Sequence, residues 1–574
     1  MSAEDREPAP MSTRSFRWLV AAILAATGAI VFHSTLAPYA LETHEVFVAQ
    51  SAREMITTGE FIVPMFGGEP RLQKPPLMYW AVVAVATITG HPDVPPWVAR
   101  FPSALATMAL IAACIGIGAR VYDRRTGLIA GAMLGSCAAV FEYGSNARPE
   151  MLYAACTAVM TYALVCAARA PARRDALRWA IAGWLACGLA FLTKGPQLPG
   201  LIILGLSFWH IRATGWKSWA RALHPILGLC IVSACVAPWF IAVILRIDGA
   251  PSFWANELIG LRFASAKDAT GGGALTGFFR WLLGVLTPEY LAYAVAQLLP
   301  WGLLLPLAFF VPWQRNRPDL ARGRDLFFAM IVPLLVLSLA SRSREYYLLP
   351  MLPIIAVLLA RGTIDVLRKG RPHALPGRVL AIGLWIAAGC ALASAVGVEA
   401  FSGFTVSDTL VVAVGFTTAA LIVVLGWRAL GSQPALRPIV VALLAWGAAF
   451  GVLGQEPALW DDRADRIDDL AIAAVALAAD TDLPVIAIGF DPDDLIYRFN
   501  RPIQRLPRAS DAEALADLLP AIVVASPETL DRLATEGLAV DPGLTFAIED
   551  GDSFRIATVR PGPIAPPAPT DPAQ

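Results

Sequence analysis

Long apolar runs separated by short polar stretches set the pattern of this chain. Runs of about 17 to 25 residues fall near 17–38, 97–119, 127–145, 150–168, 177–193, 196–212, 222–245, 290–313, 325–341, 346–361, 378–398, 407–427 and 437–454, and each can cross a hydrocarbon layer of about 30 Å as a helix. The pattern predicts a polytopic α-helical membrane protein with about 13 transmembrane helices. The first run follows Arg14 and Arg17 and is too long for a cleaved leader, so it reads as a retained anchor with its amino end, 1–16, in the cytoplasm. One further apolar stretch, 76–90, begins at Pro75-Pro76 and ends at Gly90-His91-Pro92. Counting it as a span would invert every later loop. Excluding it gathers the basic loops "YDRRTG", "RAPARRDALR", "HIRATGWKSWARALH", "QRNRPDLARGR" and "RGTIDVLRKGRPHALPGR" on the cytoplasmic side. The stretch 76–90 is therefore expected to be an interfacial helix within one external loop, 39–96, of a membrane region 17–455.

After residue 455 the period changes. Apolar runs shrink to strand length in "LPVIAIGF" and "AIVVAS", and they alternate with helical patterns in "DPDDLIYRFN", "SDAEALADLL" and "SPETLDRLATEG". The expectation is a small soluble α/β domain over 456–560. It has no lysine and many aspartates, which suits the periplasmic side to which an odd number of spans assigns it. The final 561–574 is a Pro-rich tail that reads as disordered.

Composition agrees: 57% of residues are hydrophobic and 16% charged, with a mean hydropathy of +0.59, far from soluble-globular usage. Zero net charge gives no reason to expect a nucleic-acid partner. The eight cysteines all lie in apolar runs without zinc spacing or a disulfide framework. No cofactor is certain: a divalent metal is possible, but no metal-ligand set indicates one. No internal repeat marks the two halves of a transporter.

The polar residues assigned to the outer edge carry the chemistry. Only five lysines occur, and two of them, Lys74 in "QKPP" and Lys194 in "LTKGP", stand at expected external membrane edges beside helix-interrupting prolines. An ammonium there either anchors the helix by snorkelling or meets a phosphate as a point charge. Carboxylates gather on the same side: Glu42 and Glu45 after the first span and Glu150 in "NARPEML", with Arg148 two residues before it. A carboxylate at that depth needs water, a cation or a substrate to answer it. Such groups could take a proton from an attacking hydroxyl or amine while cations stabilise a departing phosphate.

These stretches are similar to a known family. "HEVFVAQSAREMITTGEFIVPMFGGEPRLQKPPLMYW" resembles the first external loop of bacterial GT-C glycosyltransferases of the protein-mannosyltransferase and lipid A aminoarabinose-transferase group, and "ARPEM", "LTKGP", "NELIGLRF", "LLPW" and "REYYLLPMLP" follow in the family's order. The resemblance covers roughly 15–365. It implies a GT-C fold and inverting transfer of a sugar from a polyprenyl-phosphate carrier to a lipid, glycan or protein acceptor, at the periplasmic face of the bacterial inner membrane. Carried over by position, it implies Glu45 as the second member of the acidic pair and Glu150 as the second-loop acid. It further implies Lys74, Lys194, Arg262 and Tyr347 as the phosphate-binding set, with Arg344 in the same motif as Tyr347.

The departures are informative. His44 replaces the aspartate that opens the family's acidic pair, so the first-loop base is Glu45, Glu42 or His44. Phe47 stands where the aminoarabinose transferases carry an arginine for the carrier phosphate, and Gln73 replaces a glutamate before Lys-Pro-Pro. The last change argues against inheriting a metal through that position. Together they point to a changed sugar or acceptor. Two rival classes are a transporter or flippase and a protein that binds polyprenyl-phosphate sugars without transferring them.

Overall fold

The computed structural model describes residues 11–37, 40–256, 289–299, 301–313, 321–338, 344–368, 472, 483–489, 493–499, 503–507, 512–549 and 552–562. The expected spans 378–398, 407–427 and 437–454, the site candidate Arg262 and the tail beyond 562 lie outside the described residues.

Helix α1 (Thr13–Leu36) starts where the Ser12 hydroxyl accepts the Ser15 N–H. Its 24 residues reach about 36 Å, enough to span. Helix α2 (Thr43–Thr58) opens with a reciprocal capping box between Glu42 and Glu45 and closes on Gly59 at φ 72°, a left-handed conformation that costs glycine little. A short ribbon, β1 (Met65–Phe66) with β2 (Glu69–Pro70), follows antiparallel. The Glu54 carboxylate of α2 accepts both turn N–H groups, those of Gly67 and Gly68.

The stretch 76–90 forms α3 (Leu77–Thr89), 13 residues ending on Gly90 at φ 73°. Its length of about 20 Å falls short of a hydrocarbon layer of about 30 Å. Met78, Tyr79, Val82 and Ala86 bury one of its faces in a cluster with α2 and the start of α4 (Pro96–Val121).

Chain direction then alternates through α5 (Arg124–Gly135), α6 (Ala138–Gly144), α7 (Pro149–Ala168), α8 (Arg173–Lys194), α9 (Gln197–Thr214), α10 (Trp216–Leu223) and α11 (Pro225–Ile244). Among the described residues, six helical stretches are long and apolar enough to cross a membrane: α1, α4, α7, α8, Trp216–Ile244 and Glu345–Asp365. Helices α4 and α5 approach closely because Gly118 and Gly127 face each other: a Cβ built on Gly118 would stand 2.7 Å from the Gly127 Cα. Small residues allow such approach where lipid supplies no hydrophobic drive.

Two expected single spans are broken. The run 127–145 is the pair α5 and α6, bent by 59°. At the bend the Ala138 N–H leaves the helix ladder for the Leu299 carbonyl at 3.1 Å, and Trp301 Nε1 donates to Ser136 Oγ at 3.0 Å. Tertiary partners satisfy the groups that the break releases. The run 290–313 is a succession of Glu289–Gln297, the 3-10 turn Trp301–Leu304, Pro306–Phe310 and the 3-10 turn Val311–Trp313. Prolines at 300, 306 and 312 remove N–H donors at intervals too short for a continuous helix.

The carboxy-terminal region holds β3 (Val485–Ile488), β4 (Ile503–Leu506), β5 (Ala521–Ala525), β6 (Ala539–Val540), β7 (Leu544–Glu549) and β8 (Asp552–Arg560), with sheet order β4-β3-β5-β8-β6 and β7 paired to β8. The strands β3, β4 and β5 are parallel, and β8 is antiparallel to β5, β6 and β7. Alternation divides the residues between two faces. Ile486, Ile488, Val523 and Val559 pack with Leu530 and Leu533 of the helix Pro527–Thr535. Val485, Ala487, Ile522 and Val524 join the cluster of α2 and α3 through the helix Asp493–Phe499. That seam is polar at one point. Arg53 of α2 donates to the Tyr497 carbonyl at 2.6 Å and to the Asp93 carbonyl at 2.8 and 2.6 Å, and its guanidinium lies 4.2 Å from the Tyr497 ring centroid. The Tyr497 hydroxyl in turn donates to the Val94 carbonyl at 2.9 Å.

Two outcomes are expected. Thr58→Cys and Asp93→Cys, flanking α3, should react with a membrane-impermeant thiol reagent from the same side of sealed vesicles, and labelling from opposite sides would make α3 a span. Arg53→Ala leaves two carbonyls short of a charged donor, at a cost of about 1.5–3 kcal/mol. It should speed proteolytic release of the carboxy-terminal region, whereas unchanged resistance would show that the seam does not depend on this residue.

Candidate active site

The capping of α2 brings Glu42, His44 and Glu45 to one end of that helix. Glu45 has no exposed surface. Its Oε1 accepts from Arg100 Nε at 2.9 Å and from the Ala147 N–H at 2.6 Å, while Oε2 accepts from Arg100 Nη2 at 2.7 Å and from the Glu42 N–H at 3.1 Å. Arg100 Nη2 also donates to the Ala40 carbonyl at 2.7 Å. A fork-to-fork ion pair of this kind is geometrically specific, and here it binds α2, α4 and the loop before α7 together. Arg100 was not foreseen: it lies within the apolar pattern of the second span, and only an arginine facing the interior of a span would have signalled it.

Glu150 lies in the first turn of α7, next to Pro149, where the helix dipole favours a carboxylate. Lys194 ends α8, just before Gly195 at φ 118°. The two meet: Lys194 Nζ is 2.8 Å from Glu150 Oε1, and Arg148 Nε is 3.6 Å from Glu150 Oε2. Glu150 Oε2 is buried and makes no hydrogen bond among the described residues. The 3-10 turn Glu345–Met351 covers the lysine with aromatic rings, the ammonium lying 4.0 Å from the Tyr346 centroid and 5.3 Å from that of Tyr347. Arg148 is 5.5 Å from the Tyr346 ring and 5.6 Å from that of Tyr143, whose hydroxyl lies 3.3 Å from Glu345 Oε1. Tyr143 and Tyr346 stand at the site in addition to the residues that the resemblance implies.

The first loop reaches the same cluster. Lys74 is close enough to Lys194 to act on its charge. His44 is solvent-exposed and feels the charges of Arg148, Glu150, Arg71 and Arg344; partial burial, then Arg148, hold its imidazole below the usual histidine range of 6.5. Glu42 is exposed at the cap of α2. The structure therefore brings His44, Lys74, Arg148, Glu150, Lys194, Arg344 and Tyr347 to one place, sets Glu45 behind them in an ion pair, and does not describe Arg262. Among the described residues no three His, Cys, Asp or Glu side chains cluster with metal-binding spacing. The arrangement can hold an anion among cations and can offer a neutral imidazole or a carboxylate lone pair to a proton.

The Glu45 geometry makes a prediction. Breaking a buried ion pair by neutralising one partner costs about 3–5 kcal/mol, so Glu45→Gln should markedly lower the unfolding temperature of the purified protein, and adding Arg100→Gln should recover part of the loss. An unchanged unfolding temperature with lost turnover would restore Glu45 as a proton acceptor.

Comparison with known proteins bears on this site. Residues 73–242, which contain Lys74, Glu150 and Lys194, match the family described as dolichyl-phosphate-mannose-protein mannosyltransferase. An undecaprenyl phosphate-alpha-4-amino-4-deoxy-L-arabinose arabinosyl transferase of Pseudomonas savastanoi is 28% identical over 369 residues, taking in 62% of this chain and 62% of the relative. A second, from Sodalis glossinidius, is 30% identical over 319 residues, 55% of this chain and 54% of the relative. The chain thus spans about three-fifths, or less, of these relatives' length. In structure it superposes on ArnT from Cupriavidus metallidurans bound to undecaprenyl phosphate with a TM-score of 0.71 at 19% identity, covering 96% of this chain and 98% of that one. An oligosaccharyltransferase of Archaeoglobus fulgidus gives 0.53 at 11% identity, covering 94% and 74%. The resemblance to GT-C glycosyltransferases of the protein-mannosyltransferase and aminoarabinose-transferase group, first carried by ordered motifs, is borne out in sequence and in fold.

Proposed function

We propose that this chain is an integral-membrane inverting glycosyltransferase that moves a sugar from a polyprenyl-phosphate carrier to a lipid A-like, glycan or protein acceptor. The site would face the periplasm, with the membrane region 17–455 and the α/β domain 456–560 joined at the seam of α2. One observation carries the reading: the Lys194–Glu150 pair, roofed by Tyr346 and Tyr347 and flanked by Arg148. Relatives that act on undecaprenyl-phosphate sugars support it.

The chemistry follows from charge. An acceptor hydroxyl or amine attacks the anomeric carbon, the bond from that carbon to the phosphate oxygen breaks, and its electron pair leaves with the phosphate as a dianion. Lys74, Lys194, Arg344 and the Tyr347 hydroxyl would stabilise that dianion with charge-assisted hydrogen bonds. The proton of the acceptor needs a base. Glu150 is already paired with Lys194 and flanked by Arg148, which suits it to holding the lysine. His44, neutral at pH 7 and open to solvent, is the better receiver. Glu45 positions α2, and Glu42 caps it.

Two measurements test this on purified protein in nanodiscs with undecaprenyl-phosphate-linked sugars. Losing one charge-assisted contact costs about 1.5–3 kcal/mol, so Lys74→Ala should weaken donor affinity about 10- to 150-fold. Lys217→Ala, in the helix Trp216–Leu223, should change nothing. Equal affinity in wild type and Lys74→Ala would return the lysine to a membrane anchor, and binding without release of undecaprenyl phosphate would favour a carrier-binding protein over an enzyme. The second measurement is a pH profile. The base form of His44 is present above its lowered pKa and lost as pH falls through it, so kcat/KM should show an acid limb centred below 6.5. His44→Asn should remove that limb and cut turnover by about 10²- to 10⁴-fold. A limb that survives the substitution would pass the role of base to Glu150 or Glu42.

A further inference from the structure

The first loop holds a cation that this scheme leaves unused. Arg71 follows β2, and its guanidinium sits over the ring of Phe47, 3.6 Å from the centroid, with the Phe66 ring at 5.8 Å. Those two rings meet edge to face at 5.0 Å and make an aromatic shelf for the guanidinium. The Tyr79 hydroxyl lies close enough to Arg71 to feel its charge. Arg71 Nε is buried without a hydrogen-bond partner, and no carboxylate pairs with the side chain among the described residues. A guanidinium resting on a ring gains about 0.5–2 kcal/mol, yet its planar fork of donors is built for a bidentate oxyanion, and that demand is unmet here.

Position narrows the occupant. The Phe47 ring that carries Arg71 lies 6.1 Å, centroid to centroid, from the His44 ring. Arg71 therefore lies beside His44, the residue to which the proposed scheme gives the acceptor's proton. The charges that reach His44 are those of Arg148, Arg71 and Arg344 against Glu150, and Glu150 is already paired with Lys194. A cationic amino sugar would meet repulsion there. An oxyanion would be drawn in.

We propose that Arg71 is a specificity-determining residue that binds an oxyanion beside His44 and apart from the carrier phosphate: a carboxylate on the transferred sugar or a phosphate on the acceptor. The assignment rests on the glycosyl-transfer reading, and its test separates the two. In one arm, wild type, Arg71→Gln and Arg71→Lys in nanodiscs receive undecaprenyl phosphate bearing a hexuronic acid or a neutral hexose. In the other, the neutral donor is paired with an acylated diglucosamine lipid with or without its phosphates. Equilibrium binding and release of undecaprenyl phosphate are both read. Arg71→Gln should weaken the anionic member of one pair about 10- to 100-fold and leave its neutral counterpart within about twofold, with Arg71→Lys between. The arm that responds names the source of the oxyanion. Equal losses for anionic and neutral members in both arms overturn the proposal. So does an equal loss of affinity for bare undecaprenyl phosphate, which would place Arg71 in the carrier clamp. A wild-type protein that binds these ligands but releases no undecaprenyl phosphate defeats the transfer reading alone, because the binding comparison still decides Arg71.

Discussion

Glu45 is a carboxylate with no exposed surface, closed in by N–H groups of Arg100, Ala147 and Glu42. These donors come from three segments that the chain order keeps apart: the cap of α2, the interior of α4 and the loop that leads into α7. Two buried charges at this depth are tolerated only because each answers the other with two parallel hydrogen bonds and the remaining lone pairs are filled. Part of the site takes its position from that pair. It sets the end of α2 that presents His44, and through Ala147 it sets Arg148 and Glu150, which follow within three residues.

The second pair, Lys194 with Glu150, has another character. It is less complete, since Glu150 Oε2 makes no hydrogen bond among the described residues and the lysine is met on another side by aromatic faces rather than by acceptors. An ion pair that leaves capacity unfilled is suited to exchanging partners when an anion arrives. The environments of the two carboxylates tell them apart: four donors around Glu45, and one cation with an unfilled lone pair at Glu150.

The carboxy-terminal sheet bears on this arrangement from outside. One of its faces makes its own core with the helix Pro527–Thr535, and the other is buried against α2 and α3 through Tyr497 and its neighbours. Since α2 carries His44 at one end and Arg53 further along, the same short helix links the membrane region, the sheet and the site. Through that shared element the sheet packs against the first loop.

Much of this was legible in the chain by itself, where the controlling physics is local. The length of apolar runs, the proline and glycine limits of α3, the capping of α2, the strands "VIAI" and "AIVVA" and the ordered motifs depend on residues close in sequence, and the described helices and strands follow them. The prolines at 300, 306 and 312 were equally visible, although a hydropathy window averages over them. Tertiary structure alone decided the partners. Arg100 is 55 residues from Glu45 and Lys194 is 44 from Glu150, and which charges meet depends on how α2, α4, α7 and α8 cross, which no periodicity encodes. The bend at Ser136 likewise exists because Leu299 and Trp301 supply hydrogen-bond partners from another part of the chain. Charge type and depth could be read along the sequence. Whether a carboxylate is locked, as Glu45 is, or left with an open lone pair, as Glu150 is, was settled only when the helices packed and brought donors to both oxygens of one and to a single oxygen of the other.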